Sequence, residues 1–175
     1  AFALGDSGDT FTVPSGATIV NSGTATGFGG GKILQCIQTT HKGAISTTST
    51  SYVASGVEVI ITPSATTSKI LAYISGGVTD STGNARVYCS MYYKVTSGGT
   101  YAIASVHTAS PETNQESWYC PSNRGGPHSV MLLHAPATVS ELYYSPYYYV
   151  SNDTGYFNQE SAMGMTITVM EVDFA

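Results

Sequence analysis

Polar and apolar residues alternate along most of this chain with the period of two that a half-buried β-strand requires. Between Asn84 and Val95, the apolar series Ala85, Val87, Cys89, Met91, Tyr93 and Val95 interleaves with Asn84, Arg86, Tyr88, Ser90, Tyr92 and Lys94. That spacing predicts a long strand with one buried and one wetter face. Further strands are predicted over "KILQCIQTTH" (32–41), "VEVIIT" (57–62), "SKILAYISGGV" (68–78), "TYAIASVH" (100–107), "SVMLLHA" (129–135) and "GMTITVMEVDF" (164–174). Turn-forming clusters such as "TPSATTS", "DSTGN" and "TSGG" separate them, and no stretch carries a helical stripe. Many strands with short connections predict an all-β fold, an antiparallel β-sandwich of jelly-roll type, over residues 32–175.

Residues 1–31 follow a different pattern. Two short β-like pieces, Phe11/Val13 and Ile19/Val20, precede a glycine run from Gly27 to Gly31. So few large apolar groups cannot form a core alone. The segment reads as an extended β arm with a glycine-rich hinge, and Phe11, Val13, Ile19 and Val20 are its candidate oligomerisation residues. They would pack on their own domain, on a neighbouring subunit or on the next module of a longer fibre.

The densest aromatic stretch is "YYSPYYYVSNDTGYF" (143–157), which holds six of the thirteen tyrosines. Strand phasing puts Leu142, Tyr144, Pro146, Tyr148 and Val150 on one face and Tyr143, Ser145, Tyr147, Tyr149 and Ser151 on the other. Leucine and valine mark the first face as core. Tyr143, Tyr147 and Tyr149 are thus the candidates for ligand or interface contact, with subunit packing favoured over a ligand. Pro146 predicts an edge strand or a bulge, and "SNDTG" predicts a turn into a returning hairpin strand at "YFNQ". Trp118, beside a glycine–proline loop, is a further candidate for stacking on a sugar ring, anchoring an interface or filling the core.

Charge narrows the partners. Only 10% of residues are charged, the net charge is −5, and the six lysines and arginines are scattered, so nucleic acid is not an expected partner. No apolar run reaches the ~20 residues of a membrane span. Without a starting methionine, the chain reads as a processed product or a fragment of something longer. Cys36, Cys89 and Cys120 are widely spaced and read as buried small hydrophobes, a Cys89–Cys120 bridge being the alternative.

Catalytic chemistry finds little support, and no enzyme activity, cofactor or metal is expected. "GFGGGK" lacks the Walker residues, with Thr26 and Ile33 at the positions that need Gly and Ser or Thr. There is no G-x-S-x-G elbow and no H-E-x-x-H. His41, His107, His128 and His134 read as ordinary polar or edge histidines. Six strand residues would hold His128 and His134 about 20 Å apart, too far for one metal. Asp6 and Asp9 read as turn caps, and "NDT" (152–154) matches the glycosylation pattern inside a turn.

Taken in order, "GDTFTVPSGATIVNSGTATGFGGGKILQ", "STTSTSYV", "VIITPSATTSKILAYI", "HAPATVSELYYSPYYYV" and "ITVMEVDF" resemble virion structural proteins of marine bacteriophages, especially distal tail-fibre modules. The resemblance spans about Gly8 to Phe174. It departs in the middle, where "MYYKVTSGGTYAIASVHTASPETNQESWYCPSNRGG" replaces the usual short Arg-Asp segment, and at His134, where relatives often carry an acidic residue. It implies a compact jelly-roll-like sandwich that assembles as a homo-oligomer, a trimer being favoured, with other virion proteins and a host-surface glycan as partners. The location it implies is the virion, outside cells, in a tail fibre, head fibre or capsid decoration. The other readings are an extracellular filament subunit exchanging its arm as a strand, and a carbohydrate-binding module.

Overall fold

The computed structural model describes residues 12, 14–17, 32–80, 86–104, 116–119, 126–158 and 164–173. The arm residues Phe11, Val13, Ile19 and Val20, the glycine run 27–31, Asp6, Asp9, His107 and Cys120 lie outside the described residues.

Two antiparallel six-stranded sheets pack face to face. The strands are β1 (Lys32–His41), β2 (Ile45–Thr47), β3 (Val53–Ala54), β4 (Val59–Ile61), β5 (Lys69–Asp80), β6 (Arg86–Val95), β7 (Ala102–Ile103), β8 (Glu116–Tyr119), β9 (Gly126–His134), β10 (Leu142–Val150), β11 (Gly155–Phe157) and β12 (Met165–Asp173). In sheet I the order is β1-β12-β5-β11-β2, with β9 on the other side of β5. In sheet II it is β3-β10-β6-β7, with β4 also on β10 and β8 also on β6. Several of these strands are short and occupy successive stretches of one long partner. β12 and β11 both line β5, β4 and β3 both line β10, and β7 and β8 both line β6.

The predicted alternation builds the core. Ile70, Ala72 and Ile74 of β5, Val130 and Leu132 of β9, and Ile167 and Val169 of β12 face Val87, Cys89 and Met91 of β6 and Leu142, Tyr144, Tyr148 and Val150 of β10. Burying such side chains contributes roughly 1.5–3 kcal/mol each, and this layer is the main source of the domain's stability. β6 departs from the predicted pattern at Ser90, which is buried, and at its end, where Val95 is exposed. The strand predicted over 100–107 is reduced to Ala102–Ile103 among the described residues.

The tyrosine-rich stretch differs most from the sequence reading. β11 does not return beside β10 but crosses to sheet I, where it pairs with β2 and β5. The turn joins the two sheets instead of closing a hairpin, and Asp153 supplies its left-handed residue at φ 60°. Nor does Pro146 mark an edge or a bulge. β10 runs in unbroken register against β6 from Leu142↔Val95 to Val150↔Val87. On its opposite side, β4 covers Leu142 to Tyr144 and β3 covers Tyr147 and Tyr148. Pro146 sits between those two partners, and its carbonyl accepts a hydrogen bond from the Ser55 amide at 3.0 Å. The missing proline N–H points into the gap between β3 and β4, so a central strand tolerates it.

Gly155 marks the crossover. A Cβ there would overlap Val150 Cγ1 and come within 3.1 Å of Val87 Cγ2. Gly155→Ala is expected to lower unfolding free energy by about 2 kcal/mol through overpacking, read from urea denaturation. An unchanged midpoint would show that this corner has room to spare.

Cys89 is buried in the core, but Cys36, expected to be buried, is exposed on the outward face of β1. Two histidines depart from expectation in the opposite direction. His128 and His134 lie on the inner face of β9 and are buried. Both are in phase with Val130 and Leu132, which is why the sandwich encloses them.

Candidate functional site

The outer face of sheet II carries a continuous bed of tyrosines. Its frame is the β6–β10 pairing, which sets Tyr149 opposite Tyr88, Tyr147 opposite Ser90, Ser145 opposite Tyr92 and Tyr143 opposite Lys94. Small serines facing large rings let each ring lean diagonally across the neighbouring strand, as cross-strand geometry allows. Tyr92 and Tyr147 stack at 4.1 Å with planes 18° apart, and Tyr88 and Tyr149 stack at 4.3 Å and 3°. Tyr52, just before β3, meets Tyr149 edge-on at 4.8 Å and Tyr92 at 5.6 Å. Tyr101 leans on Tyr147 at 5.3 Å.

One end of the bed is polar. Lys94 Nζ pairs with Glu58 Oε1 at 3.0 Å and lies over the rings of Tyr101 and Tyr143 at 4.6 and 4.7 Å. The Tyr101 hydroxyl donates to the Glu58 carboxylate, and the Tyr143 hydroxyl donates to Glu141. The hydrogen bond from Tyr101, aided by Lys94, holds the Glu58 carboxyl below its usual range against the opposing effect of burial. Acceptance by Glu141 raises the Tyr143 phenol, and burial raises those of Tyr92 and Tyr147. These phenols therefore stay protonated at neutral pH and add no charge to the face, the Tyr143 proton being donated to Glu141.

Of the predicted site residues, the structure gathers Tyr143, Tyr147 and Tyr149 on this one face. Tyr147 and Tyr149 are half-buried, and Tyr143 is buried against its neighbours. Strand β8 sets Trp118 opposite Val87 at the margin of the same sheet. Sequence phasing of β10 alone missed the other half of the bed. Tyr52, Tyr88, Tyr92 and Tyr101 come from three other segments, and only the alternation in β6 signalled Tyr88 and Tyr92. In each stacked pair one ring face is covered by its partner, the Tyr52 hydroxyl is buried, and those of Tyr101 and Tyr143 are donated to Glu58 and Glu141, which leaves Tyr88, Tyr92, Tyr147 and Tyr149 as the rings that could meet an outside partner. Such a face can hydrogen-bond to polyols, amides or a second protein surface. Among the described residues no group of three His, Cys, Asp or Glu side chains could hold a metal ion.

Three further polar positions, Glu171, His134 and His128, lie inside the sandwich. Glu171 of β12 is fully buried. It accepts hydrogen bonds from the Ser64 amide and hydroxyl at 2.6 Å each, from Gln35 Nε2 at 2.6 Å and from Ser68. Burial alone would raise its pKa, but these donors override that effect and hold it at about 2. Through them Glu171 pins the 62–68 connection, which carries the chain from sheet II to sheet I. His134 Nδ1 lies 2.7 Å from the Tyr144 hydroxyl and its ring lies 4.2 Å from that of Tyr93, so it ties β9 to sheet II. His128 packs edge-on against Phe157 at 5.5 Å, and Phe157 in turn meets Tyr148 at 4.9 Å. The sequence did carry one signal for Glu171, namely its phase with Ile167 and Val169.

No protein-family model matches the chain, and no curated protein sequence matches it. Among solved structures, it is similar to a chain in the structure of infectious bursal disease virus Gx strain, with a TM-score of 0.33 and 8% identity over 82% of this chain. A chain in the structure of the Gt strain of that virus gives a TM-score of 0.26 and 9% identity over 80% of this chain. The chain spans 40% of the length of each, and likenesses at these TM-scores carry no functional weight. No helix among the described residues is long and apolar enough to cross a membrane.

Proposed function

We propose that this chain is a non-enzymatic structural module of a virion, a tail-fibre or other fibre tip that works as an oligomer, three chains in the favoured assembly, and attaches to a host surface. The observation that carries the reading is the tyrosine bed on sheet II. It is a broad face of interlocked rings fixed to a rigid sandwich, bearing hydroxyls, the Lys94–Glu58 pair and the Glu141 carboxylate. Rings already locked against one another lose little freedom when a partner arrives, so their contact area converts efficiently into affinity. Neutral donors and aromatic edges suit a polyhydroxylated surface such as a host glycan. The ordered resemblance to phage fibre modules from Gly8 to Phe174 supports the virion setting.

Two measurements test this reading. Light-scattering mass of the purified chain is expected to give three subunits, and a stable monomer would count heavily against it. Labelled full-length protein on arrayed bacterial surface polysaccharides is expected to bind. The Tyr147→Ala/Tyr149→Ala variant should lose at least tenfold in affinity while keeping its fold. Binding that is absent, or unchanged in the variant, would remove the tyrosine bed as the attachment surface.

A further inference from the structure

Between the Tyr88–Tyr149 stack and the Tyr92–Tyr147 stack lies a slot. Its floor is Ser90, which stands between Tyr88 and Tyr92 on β6 and opposite Tyr147. The neighbours Cys89 and Met91 are core, so Ser90 faces outward, yet it is only 1% exposed. What covers it is the Tyr52 ring, which meets one member of each stack, Tyr149 and Tyr92. Tyr52 points down into the slot. Its hydroxyl is buried, and its phenol is raised far above the usual range, chiefly by that burial and then by Tyr149, Cys89, Tyr92 and Tyr88, the residues around Ser90. Neither the Tyr52 hydroxyl nor the Ser90 hydroxyl has a hydrogen-bond partner among the described residues. The other buried hydroxyls of this kind are bonded: Tyr144 to His134, Tyr148 to the Ser46 carbonyl and Thr168 to Gln38. Two adjacent orphans in one slot are costly to the free protein and call for a partner from outside.

We infer that this slot is the seat of a neutral sugar ring of the ligand, and that the Tyr52 side chain is the lid that swings out to admit it. The inference rests on the attachment reading above and names the chemistry that the tyrosine bed recognises. Shape is the first argument. Tyr52 fills the slot with a six-membered ring carrying a hydroxyl, and a pyranose is a ring of similar size. Hydrogen bonding is the second. A sugar brings several hydroxyls, each both donor and acceptor, so it can satisfy Ser90, while Tyr52 regains a partner once its hydroxyl leaves the slot. Charge is the third. On β6 the charged residues nearest Ser90 are Arg86 and Lys94, each four residues away, about 13 Å along the strand. Lys94 is already paired with Glu58, and β10 carries no charged residue. A uronate or phosphate would enter the slot without a counter-charge, at high desolvation cost. Opening needs only the side chain to turn. The backbone on both sides of Tyr52 is tied to β10, by the Val150 amide donating to the Ser49 carbonyl at 2.9 Å and by the pairing of Val53 with Tyr148. The four stacked rings stay in place as walls.

The test uses the full chain on arrayed bacterial surface polysaccharides, sorted into neutral polymers of hexose and N-acetylhexosamine and acidic ones with uronate or phosphodiester units. Wild-type protein is expected to bind neutral members at least tenfold more tightly than acidic ones. Ser90→Ala should weaken that binding at least fivefold without lowering the urea midpoint, because the hydroxyl it removes has no partner in the free protein. Tyr52→Phe keeps the lid but removes its orphan hydroxyl, so it should raise the midpoint and weaken binding. Tyr52→Ala removes the lid and should tighten binding at least threefold. Should Tyr52→Ala not fold, Ser90→Ala and Tyr52→Phe decide the matter by themselves. A lowered midpoint for Ser90→Ala would mean that its hydroxyl is already held in the free protein, and overturns the inference. So does a preference for acidic polymers. Neutral-polymer binding that is lost in Tyr147→Ala/Tyr149→Ala but unchanged in Ser90→Ala and Tyr52→Phe overturns it too, and leaves the tyrosine bed standing as the attachment surface. Binding to no polysaccharide overturns both.

Discussion

Replacing Glu171 with alanine is expected to destabilise the domain by about 3 kcal/mol, measured as a lower urea midpoint with an unchanged slope. The carboxylate is fully buried and accepts from Ser64, Ser68 and Gln35. Truncation leaves those donors without their acceptor in a part of the sandwich that Gln35 also closes by donating to the Thr62 carbonyl at 2.7 Å. Losing the charge recovers some desolvation energy, which keeps the figure below the sum of the separate hydrogen bonds. Glu171→Gln should cost less, about 2 kcal/mol, because one oxygen can still accept from Ser64 while the new amide faces the amide of Gln35. A loss below 1 kcal/mol for the alanine variant would mean that the 62–68 connection is held by other contacts. The tyrosine bed lies on the opposite side of sheet II from this anchor, so Glu171→Gln should leave surface binding intact at temperatures where it is folded.

Acid should weaken the domain strongly between pH 6.5 and pH 4. Burial lowers the pKa values of His128 and His134 from 6.5 to about 4. As pH falls, the unfolded chain therefore takes up these two protons first, so stability is complete above pH 6.5 and is lost as pH drops towards the folded values. Each histidine accounts for on the order of 2–3 kcal/mol at pH 4.5. Together they approach the whole stability of a marginal domain. Glu171 acts in the same direction lower down: its depressed pKa gives stability that is present above the ordinary carboxylate range and lost as pH falls towards about 2. Denaturation midpoints at pH 7 and 4.5 check the effect. His134→Gln keeps a partner for the Tyr144 hydroxyl and cannot titrate, so it should remove about half of the difference. Equal stability at the two pH values would show that neither histidine is held neutral by the fold.

What the chain's pattern made legible was local and periodic. Strands β1, β5, β6, β9, β10 and β12 follow from a period of two, because any sheet with one dry face imposes that period on its sequence. The same rule separated Leu142, Tyr144, Tyr148 and Val150 from Tyr143, Tyr147 and Tyr149 before any fold was known. It could also have placed Glu171, His128 and His134 inside, since each is in phase with core residues. For Glu171 residue type argued the other way, because a carboxylate is almost never fully buried unless paired. Its burial depends on donors such as Ser64 and Gln35, distant in the chain. Which strands become neighbours was decided only in three dimensions. A turn motif such as "SNDTG" specifies a reversal but not the sheet that receives the next strand, and Gly155 beneath Val150 and Val87 shows that packing between the sheets determines it. A proline rule likewise says only that an N–H is missing. Whether the strand is an edge or a centre depended on β3 and β4 leaving a gap beside Pro146. The tyrosine bed has the same origin. It is assembled from several strands, and register between strands is a tertiary property that no single stretch of sequence contains.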